Sequence, residues 1–273
     1  MPSPETSAAS AQTAAQRERT IDSPEPPTPR DSWLQAAGRA VLDLVFPPVC
    51  VACGGLCEDS MLRHVCSRCE PLIARVRPPH CPTCGHPYYG IVEGERICPH
   101  CEHLAPAYRE ARTVTLFKGA ARELVLTLKY RRGEHVLEDM ERLIRGHAYV
   151  CEFIRGATLV PVPLHRRKER ERGYNQSELL AEAFVRAVDG AARSQRLLER
   201  VEDSESQTSF DREARRRRMK NAFAPATGGG ITPGLRYILV DDVFTTGSTL
   251  NACAGALRRA GCLNLDVVTF GHG

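Results

Sequence analysis

Two adjacent carboxylates and a run of small hydroxyl residues are the part of this sequence best suited to bind a ligand. Asp241 and Asp242 follow the apolar run 237–240, and a loop of small residues comes next: Thr245, Thr246, Gly247, Ser248 and Thr249. Hydroxyl groups, a glycine and the free N–H groups of a helix start suit a phosphate. Carboxylates suit sugar hydroxyls or a cation. A ribose 5-phosphate therefore fits both halves, and the alternative is a turn whose Asp and Thr residues only cap a helix.

The cysteines form a second group, which has the spacing of metal ligands. Eight of the twelve lie in four Cys-x-x-Cys pairs, and the segment PPVCVACG at 47–54 returns as PPHCPTCG at 78–85. Two such pairs can close a tetrahedral Cys₄ zinc site, and four sulfur ligands leave no open position for chemistry. We therefore expect a double zinc ribbon over residues 47–104 that holds structural zinc. Its expected ligands are Cys50, Cys53, Cys66, Cys69, Cys81, Cys84, Cys98 and Cys101.

The other four cysteines have no partner at this spacing. Cys57 lies inside the first unit and is an alternative ligand there, whereas Cys151, Cys253 and Cys262 are expected to be small core residues. Cys-x-x-Cys pairs of this kind are typical of metal binding in a reducing compartment. No apolar run is long enough to span a membrane. The sequence therefore predicts a cytoplasmic protein.

The elements that must position these groups are those of a parallel sheet, because the loops after its strands meet at one edge. From residue 108 onward apolar runs alternate with amphipathic stretches, which predicts an α/β domain over 108–273. Expected strands cover 112–117, 158–164, 196–201, 237–241 and 265–270, and expected helices cover 119–130, 137–150, 177–188 and 249–260. In front, residues 1–30 are expected to be disordered and 31–46 to form an amphipathic helix.

Two basic segments lie before the acidic pair, at 165–172 and 212–220. The formal net charge is only +4, so composition alone does not demand nucleic acid. From the residues alone three interpretations stay open: solvated helix faces, contacts to nucleic-acid phosphates, or a clamp for pyrophosphate. The second segment lies in an expected long mobile loop over 202–221.

The stretch VDDVFTTGST at 240–249 resembles the phosphoribosyl-pyrophosphate (PRPP) motif of type I phosphoribosyltransferases. The resemblance implies that the catalytic pair Asp241 and Asp242 holds the ribose hydroxyls and that residues 245–249 hold the 5′-phosphate. It also implies Mg²⁺ bound together with PRPP. Some purine enzymes of this class have an Asp where Thr245 stands here, so the resemblance disfavours transfer to a 6-oxopurine.

Further stretches narrow the resemblance to one family. The segment PVPLHRRKERERGYNQS at 161–177, the tripeptide LKY at 128–130 and the paired ribbons are similar to the competence protein F (ComF) family over roughly residues 33–271. This implies a type I phosphoribosyltransferase-like parallel sheet flanked by helices, with an N-terminal double zinc ribbon. It also implies a link to DNA uptake during natural competence.

Within this family the leaving pyrophosphate needs basic partners, and the loop over 202–221 is expected to be a lid that excludes water. The pyrophosphate candidates are Lys129, Arg166, Arg167, Arg170, Arg212, Arg215 and Arg218.

Two functions follow as hypotheses. The first is an enzyme, a phosphoribosyltransferase that moves the pentosyl group of Mg·PRPP to an unknown acceptor. The second is a non-catalytic competence factor that senses PRPP or binds single-stranded DNA and acts with a DNA-uptake helicase. A scaffold with an empty pocket is the remaining alternative.

Overall fold

The computed structural model describes residues 43, 46–90, 92, 94, 96–102, 104–201, 222–228 and 230–273. The tail expected over 1–30, nearly all of the helix expected over 31–46 and the loop expected over 202–221 lie outside the described residues. Residues 47–273 form one compact unit, which includes both the cysteine-rich segment and the α/β segment. No helix in the described part is long and apolar enough to cross a membrane.

Strands and α-helices alternate through most of the described chain after residue 110. The strands are β1 (Ala111–Leu116), β2 (Thr158–Pro161), β3 (Arg193–Ser194), β4 (Leu198–Arg200), β5 (Phe223–Pro225), β6 (Arg236–Phe244) and β7 (Asn264–His272). The α-helices are α1 (Gly119–Tyr130), α2 (Leu137–Arg145), α3 (Ala148–Ile154), α4 (Arg166–Arg172), α5 (Gln176–Ala187) and α6 (Ser248–Arg259).

Five of these strands form a sheet in the order β1-β7-β6-β2-β3, and all of its pairs are parallel. Strand β6 is central, and most of its residues are buried because helices cover both faces of a parallel sheet. Ile238 packs into one hydrophobic core and Leu239 into the other, as expected from side chains that alternate along a strand. The predicted α/β class is confirmed, and β4 and β5 pair antiparallel outside this sheet.

The single helix expected over 137–150 is wrong, because the structure breaks it into α2 and α3 at Gly146 and His147. The His147 ring donates a hydrogen bond to the carbonyl oxygen of Val76 at 2.5 Å. Arg75 donates to the carbonyl oxygen of Gly146 at 2.9 Å. Partners far away in the sequence therefore compete with helix continuation, which a local pattern does not reveal.

Two strand ends and one helix also differ from expectation. Strand β2 ends at Pro161 rather than at 164, and β6 continues to Phe244, so the acidic pair lies inside the strand and not after it. The basic segment 166–172 is helical, and the imidazole of His165 caps it by accepting the N–H of Arg167 at 3.2 Å. Two of its i,i+4 pairs, Arg166 with Arg170 and Lys168 with Arg172, are alike in charge and disfavour a helix, whereas Arg167 and Glu171 form an ion pair at the same spacing.

The cysteine-rich segment closes the β1 edge of the sheet. Arg75 forms an antiparallel bridge to Thr115 of β1. Two backbone hydrogen bonds flank this bridge. The N–H of Val76 donates to the carbonyl of Val114, and the N–H of Leu116 donates to the carbonyl of Ala74. The exposed edge of the sheet is thereby paired, which protects it from pairing with another chain.

Candidate functional site

Asp241 lies three residues before the carboxyl end of β6 and is held by two hydrogen bonds. Its Oδ1 accepts from the hydroxyl of Ser177 at 3.1 Å and from the backbone N–H of Asp242 at 2.9 Å. Ser177 is placed by Asn175, whose side chain accepts the N–H of Ser177 at 3.1 Å and donates to the carbonyl of Val162 at 3.0 Å. The start of α5 is therefore fixed against the ends of β2 and β6.

Asp242 is buried and faces the last turn of α1. The ammonium nitrogen of Lys129 lies 2.8 Å from its Oδ1. Its Oδ2 is buried and has no hydrogen-bond partner among the described residues. Because buried polar atoms almost always have a partner, this oxygen is suited to accept from a ligand hydroxyl or to bind a cation.

Asp241 is costly to ionise where it stands. Burial, and then the charge of Asp242, raise the pKa of Asp241 to about 7, against the opposing effects of Lys129 and Ser177. Asp241 therefore changes its charge near neutral pH. The acidic pair gains from any ligand that brings hydroxyl donors or positive charge.

The loop after the acidic pair turns sharply at Gly247. Gly247 has φ of +68°, and a Cβ there would lie 2.7 Å from Cζ of Phe244, so no side chain fits this turn. Thr246 Oγ1 lies 3.0 Å from Ser248 Oγ, and both side chains are exposed. Helix α6 begins at Ser248, and the first N–H groups of a helix have no partner inside it. The loop thus presents hydroxyl and N–H donors to an anion.

A basic pocket of about 320 Å³ opens beside Lys129. Four of its lining side chains are cationic and one is acidic. They are Lys129, Arg132, Lys168, Arg172 and Glu171, together with the exposed ring of Tyr130. Such an excess of positive charge in a concave site favours an anionic ligand.

The other pyrophosphate candidates are placed differently from Lys129. Arg166, Arg167 and Arg170 are exposed on α4. Arg167 pairs with Glu171 at 2.9 Å, and Arg166 lies 3.8 Å from Glu199. These three do not line the basic pocket, and the remaining candidates, Arg212, Arg215 and Arg218, lie outside the described residues.

Sequence reasoning missed Ser177 and three of the pocket cations. Ser177 carried one usable signal, since Asn175 two residues earlier is a typical helix cap. Lys168 and Arg172 lie in the basic segment 165–172, but their convergence with Arg132 depends on how α1 and α4 pack, which no sequence signal gave.

The cysteine pairs converge into the two expected clusters. The sulfur atoms of each lie within 4.8 Å of one another, and the clusters are Cys50, Cys53, Cys66 and Cys69, then Cys81, Cys84, Cys98 and Cys101. The sulfurs of Cys53 and Cys66 are 3.6 Å apart, and those of Cys84 and Cys98 are 3.7 Å apart. Tetrahedral zinc with bonds of about 2.3 Å needs sulfurs about 3.8 Å apart. Both clusters therefore suit structural zinc.

The spare cysteines stay outside these clusters. Cys57 is not among the four cysteines whose sulfur atoms converge in the first cluster. Burial, and then the neighbouring Cys50 and Cys66, raise the pKa of its thiol. Cys151, Cys253 and Cys262 are buried in the two hydrophobic cores, as predicted.

Taken together, a parallel sheet whose central strand carries an acidic pair near its carboxyl end, followed by a hydroxyl loop at residues 245–249, defines a phosphoribosyltransferase-like α/β protein. Two Cys₄ units precede it here. Residues 41–102 match the double zinc ribbon domain family. The DNA utilization protein YhgH of Salmonella typhimurium is 30% identical over 230 residues, which cover 82% of this chain and 96% of that protein. The chain belongs to the competence protein F (ComF) family.

Two further relatives carry competence names. Competence protein F of Haemophilus influenzae is 28% identical over 80% of this chain and 94% of its own length. Competence protein ComFC of Bacillus subtilis is 26% identical over 72% of this chain and 79% of its own length. Among solved structures, a hypoxanthine phosphoribosyltransferase from Staphylococcus aureus aligns with 14% identity and a TM-score of 0.31, over 49% of this chain and 62% of that one.

Proposed function

We propose that this protein binds Mg·PRPP at the end of β6 and transfers its phosphoribosyl group to a nucleophilic acceptor. The observation that carries the proposal is the arrangement of polar groups near the carboxyl end of β6. An acidic pair, in which Oδ2 of Asp242 is buried and has no partner among the described residues, lies two residues before a loop of phosphate-type donors at 245–249.

Each half of the site has a distinct task. Asp241 and Asp242 accept hydrogen bonds from the ribose hydroxyls, and their negative charge stabilises the positive charge that develops on the ring as the bond from C1 to pyrophosphate breaks. The hydroxyl and N–H donors of the loop hold the 5′-phosphate and so fix the position of C1. Asp242 and the ribose hydroxyls would hold Mg²⁺, which would neutralise the pyrophosphate when bound.

The basic pocket supplies the third task. Lys129 and Lys168, with the arginines Arg132 and Arg172, line this pocket, and Lys129 also pairs with Asp242. The electron pair of the breaking bond leaves on the pyrophosphate, and cations in this pocket stabilise that charge. The exposed Arg166, Arg167 and Arg170 and the undescribed Arg212, Arg215 and Arg218 remain candidates for the same contact.

The test is calorimetric titration of the zinc-loaded protein with Mg·PRPP. We expect binding by the wild type and its loss in the Asp241→Asn/Asp242→Asn variant. Asp189→Asn is the matched control, because Asp189 is an acid outside the site, paired with Arg145 at 2.6 Å. Absence of binding by the wild type would contradict the proposal. If the wild type binds, pyrophosphate release that depends on an added acceptor would identify the transfer itself.

A second candidate is a PRPP-sensing or DNA-binding competence factor acting in the cytoplasm with a DNA-uptake helicase. It is favoured by the names of the relatives, which refer to competence and DNA utilization. If it is correct, the affinity for single-stranded DNA falls with rising salt. The affinity also falls when residues 215–218 are neutralised or when Lys168 is changed to Gln. Unchanged affinity in both variants would exclude this version.

A further inference from the structure

The second zinc ribbon contacts the hydroxyl loop through a short chain of rings. The imidazole of His86, two residues after the zinc ligand Cys84, lies edge-on to the imidazole of His272 with the ring centres 5.0 Å apart. The His272 ring in turn stacks on Phe244, at 5.5 Å and with an angle of only 6° between the planes. Three rings therefore run from the zinc ligands to the end of β6.

The last ring of this chain forms the floor of the loop. A Cβ at Gly247 would lie 2.7 Å from Cζ of Phe244, so the loop backbone rests directly on the Phe244 ring. Phe244 is also held by its backbone, since its carbonyl accepts the N–H of Gly273 at 2.9 Å. Any shift of the Phe244 ring must therefore move the turn at Gly247, because packed groups leave no free space.

The first ring of the chain is fixed by the zinc ligands themselves. The N–H of His86 donates to the sulfur of Cys84 at 3.4 Å, and the carbonyl of His86 accepts the N–H of Cys81 at 2.8 Å. The adjoining Gly85 lies so close to β1 that a Cβ there would be 3.3 Å from the backbone nitrogen of Thr113. Zinc at this site would hold His86 rigidly against the sheet.

Two observations separate this contact from ordinary packing. Nε2 of His272 is buried and has no hydrogen-bond partner among the described residues, an arrangement that costs stability. In the first ribbon the position of His86 in the repeat is occupied by Gly55, so only the second copy carries an imidazole there. The ring chain is a property of the second ribbon alone.

We propose that the second zinc ribbon positions the hydroxyl loop, residues 245–249, by acting through His86, His272 and Phe244. The ribbon would then set the loop geometry from outside the α/β sheet. Occupancy of the second zinc site would accordingly control how well residues 245–249 hold an anion. The anion-binding role of the loop rests on the proposed function, whereas the mechanical coupling does not.

The first experiment needs no ligand. Hydrogen–deuterium exchange is followed in the segment 245–251 for the wild type, His86→Ala and His80→Ala. His80 lies in the same ribbon, but its ring bonds to the hydroxyl of Tyr149 at 2.9 Å and faces α3 instead of the loop. We expect faster exchange in this segment for His86→Ala only, with two zinc ions retained by both variants. Equal exchange in all three proteins would overturn the proposal.

A second variant tests the ring chain without changing a residue of the zinc ribbon. If His86→Ala releases zinc, Phe244→Leu removes the stacked ring while leaving both ribbons unchanged. We expect faster exchange in 245–251 for this variant too. Wild-type exchange in Phe244→Leu would count against the ring chain.

The second experiment adds Mg·PRPP. One aromatic contact of this kind shifts an equilibrium by roughly fivefold, so His86→Ala should weaken binding by about that factor while His80→Ala should not. If the wild type does not bind PRPP, the proposed function fails, and the exchange experiment still decides the coupling. If PRPP binds equally well to all variants although the loop exchange differs, the ribbon does not position the loop for the ligand, and the proposal is wrong.

Discussion

The ammonium nitrogen of Lys129 lies 2.8 Å from Oδ1 of Asp242, which joins the last turn of α1 to the end of β6. The two residues are 113 positions apart in the sequence. Asp242 is buried, and the side chain of Lys129 is 22% exposed. This ion pair connects the acidic pair with the basic pocket, so substitutions on either side of it test how the site is held together.

Replacing Lys129 by Met should destabilise the protein. The substitution keeps the apolar stem but leaves the buried charge of Asp242 without this cation. This should cost about 3 kcal/mol in the free energy of unfolding, at the low end for a buried pair because Lys129 is partly exposed. Urea unfolding measures the change. Lys118→Met is the control, because Lys118 is exposed at the opposite end of the same helix. An equal loss in both variants would show that the ion pair contributes nothing specific.

Replacing Asp241 by Asn should stabilise the protein in alkaline solution. The folded-state pKa of Asp241 is raised from its ordinary 3.8 to about 7, so its contribution to stability is greatest below pH 4 and is lost as the pH rises through 7. Asn resembles the protonated acid at every pH. We therefore expect the gain in Tm to be larger at pH 8.5 than at pH 5.5, by roughly 5 °C.

The control for this pH dependence is Asp189→Asn. Its ion pair with Arg145 lowers the pKa of Asp189, so removing the charge should bring no gain in Tm at pH 8.5. A gain for Asp241→Asn that is the same at both pH values would contradict the assignment of its raised pKa.

The two zinc sites should lose metal in a fixed order. Cys53 of the first cluster is exposed, whereas all four cysteines of the second cluster are buried. Native mass spectrometry during chelation should therefore show two zinc ions per chain, with the first ribbon emptied before the second. Cys53→Ser should speed the first step alone, and Cys57→Ser should retain both ions. Simultaneous release of both ions from the wild type would be inconsistent with this difference in burial.

Replacing Gly247 by Ala should disturb the hydroxyl loop more than a positive φ alone explains. Its Cβ would collide with Phe244, whereas a Cβ at Gly261, where φ is +95°, would meet nothing within 4 Å. Gly261→Ala should cost about 1 kcal/mol for the strained backbone. Gly247→Ala should cost more and should also weaken Mg·PRPP binding. Thermal unfolding and calorimetry of both variants make the comparison, and equal effects would exclude a role for the contact.

The sequence by itself determined the chemistry-bearing segments and the class of the fold. The Cys-x-x-Cys pairs specify the two clusters, because cysteines separated by two residues can bind the same ion whatever surrounds them. The apolar run 237–240 specifies a buried strand, because burial on both faces demands continuous apolar residues. Asp241 and Asp242 follow that run in the chain, so their position near the carboxyl end of the strand could also be predicted.

Only the tertiary structure decided which residues converge on those segments. Lys129 and Ser177 reach the acidic pair from a distant helix end and a helix start, and His86 of the second ribbon contacts His272 at the end of β7. The break of the helix expected over 137–150 has the same origin, since Arg75 and His147 form its competing contacts. Periodicity and spacing record the interactions of neighbours along the chain. Contacts between residues that are far apart in sequence depend on how the elements pack, and no local pattern encodes them.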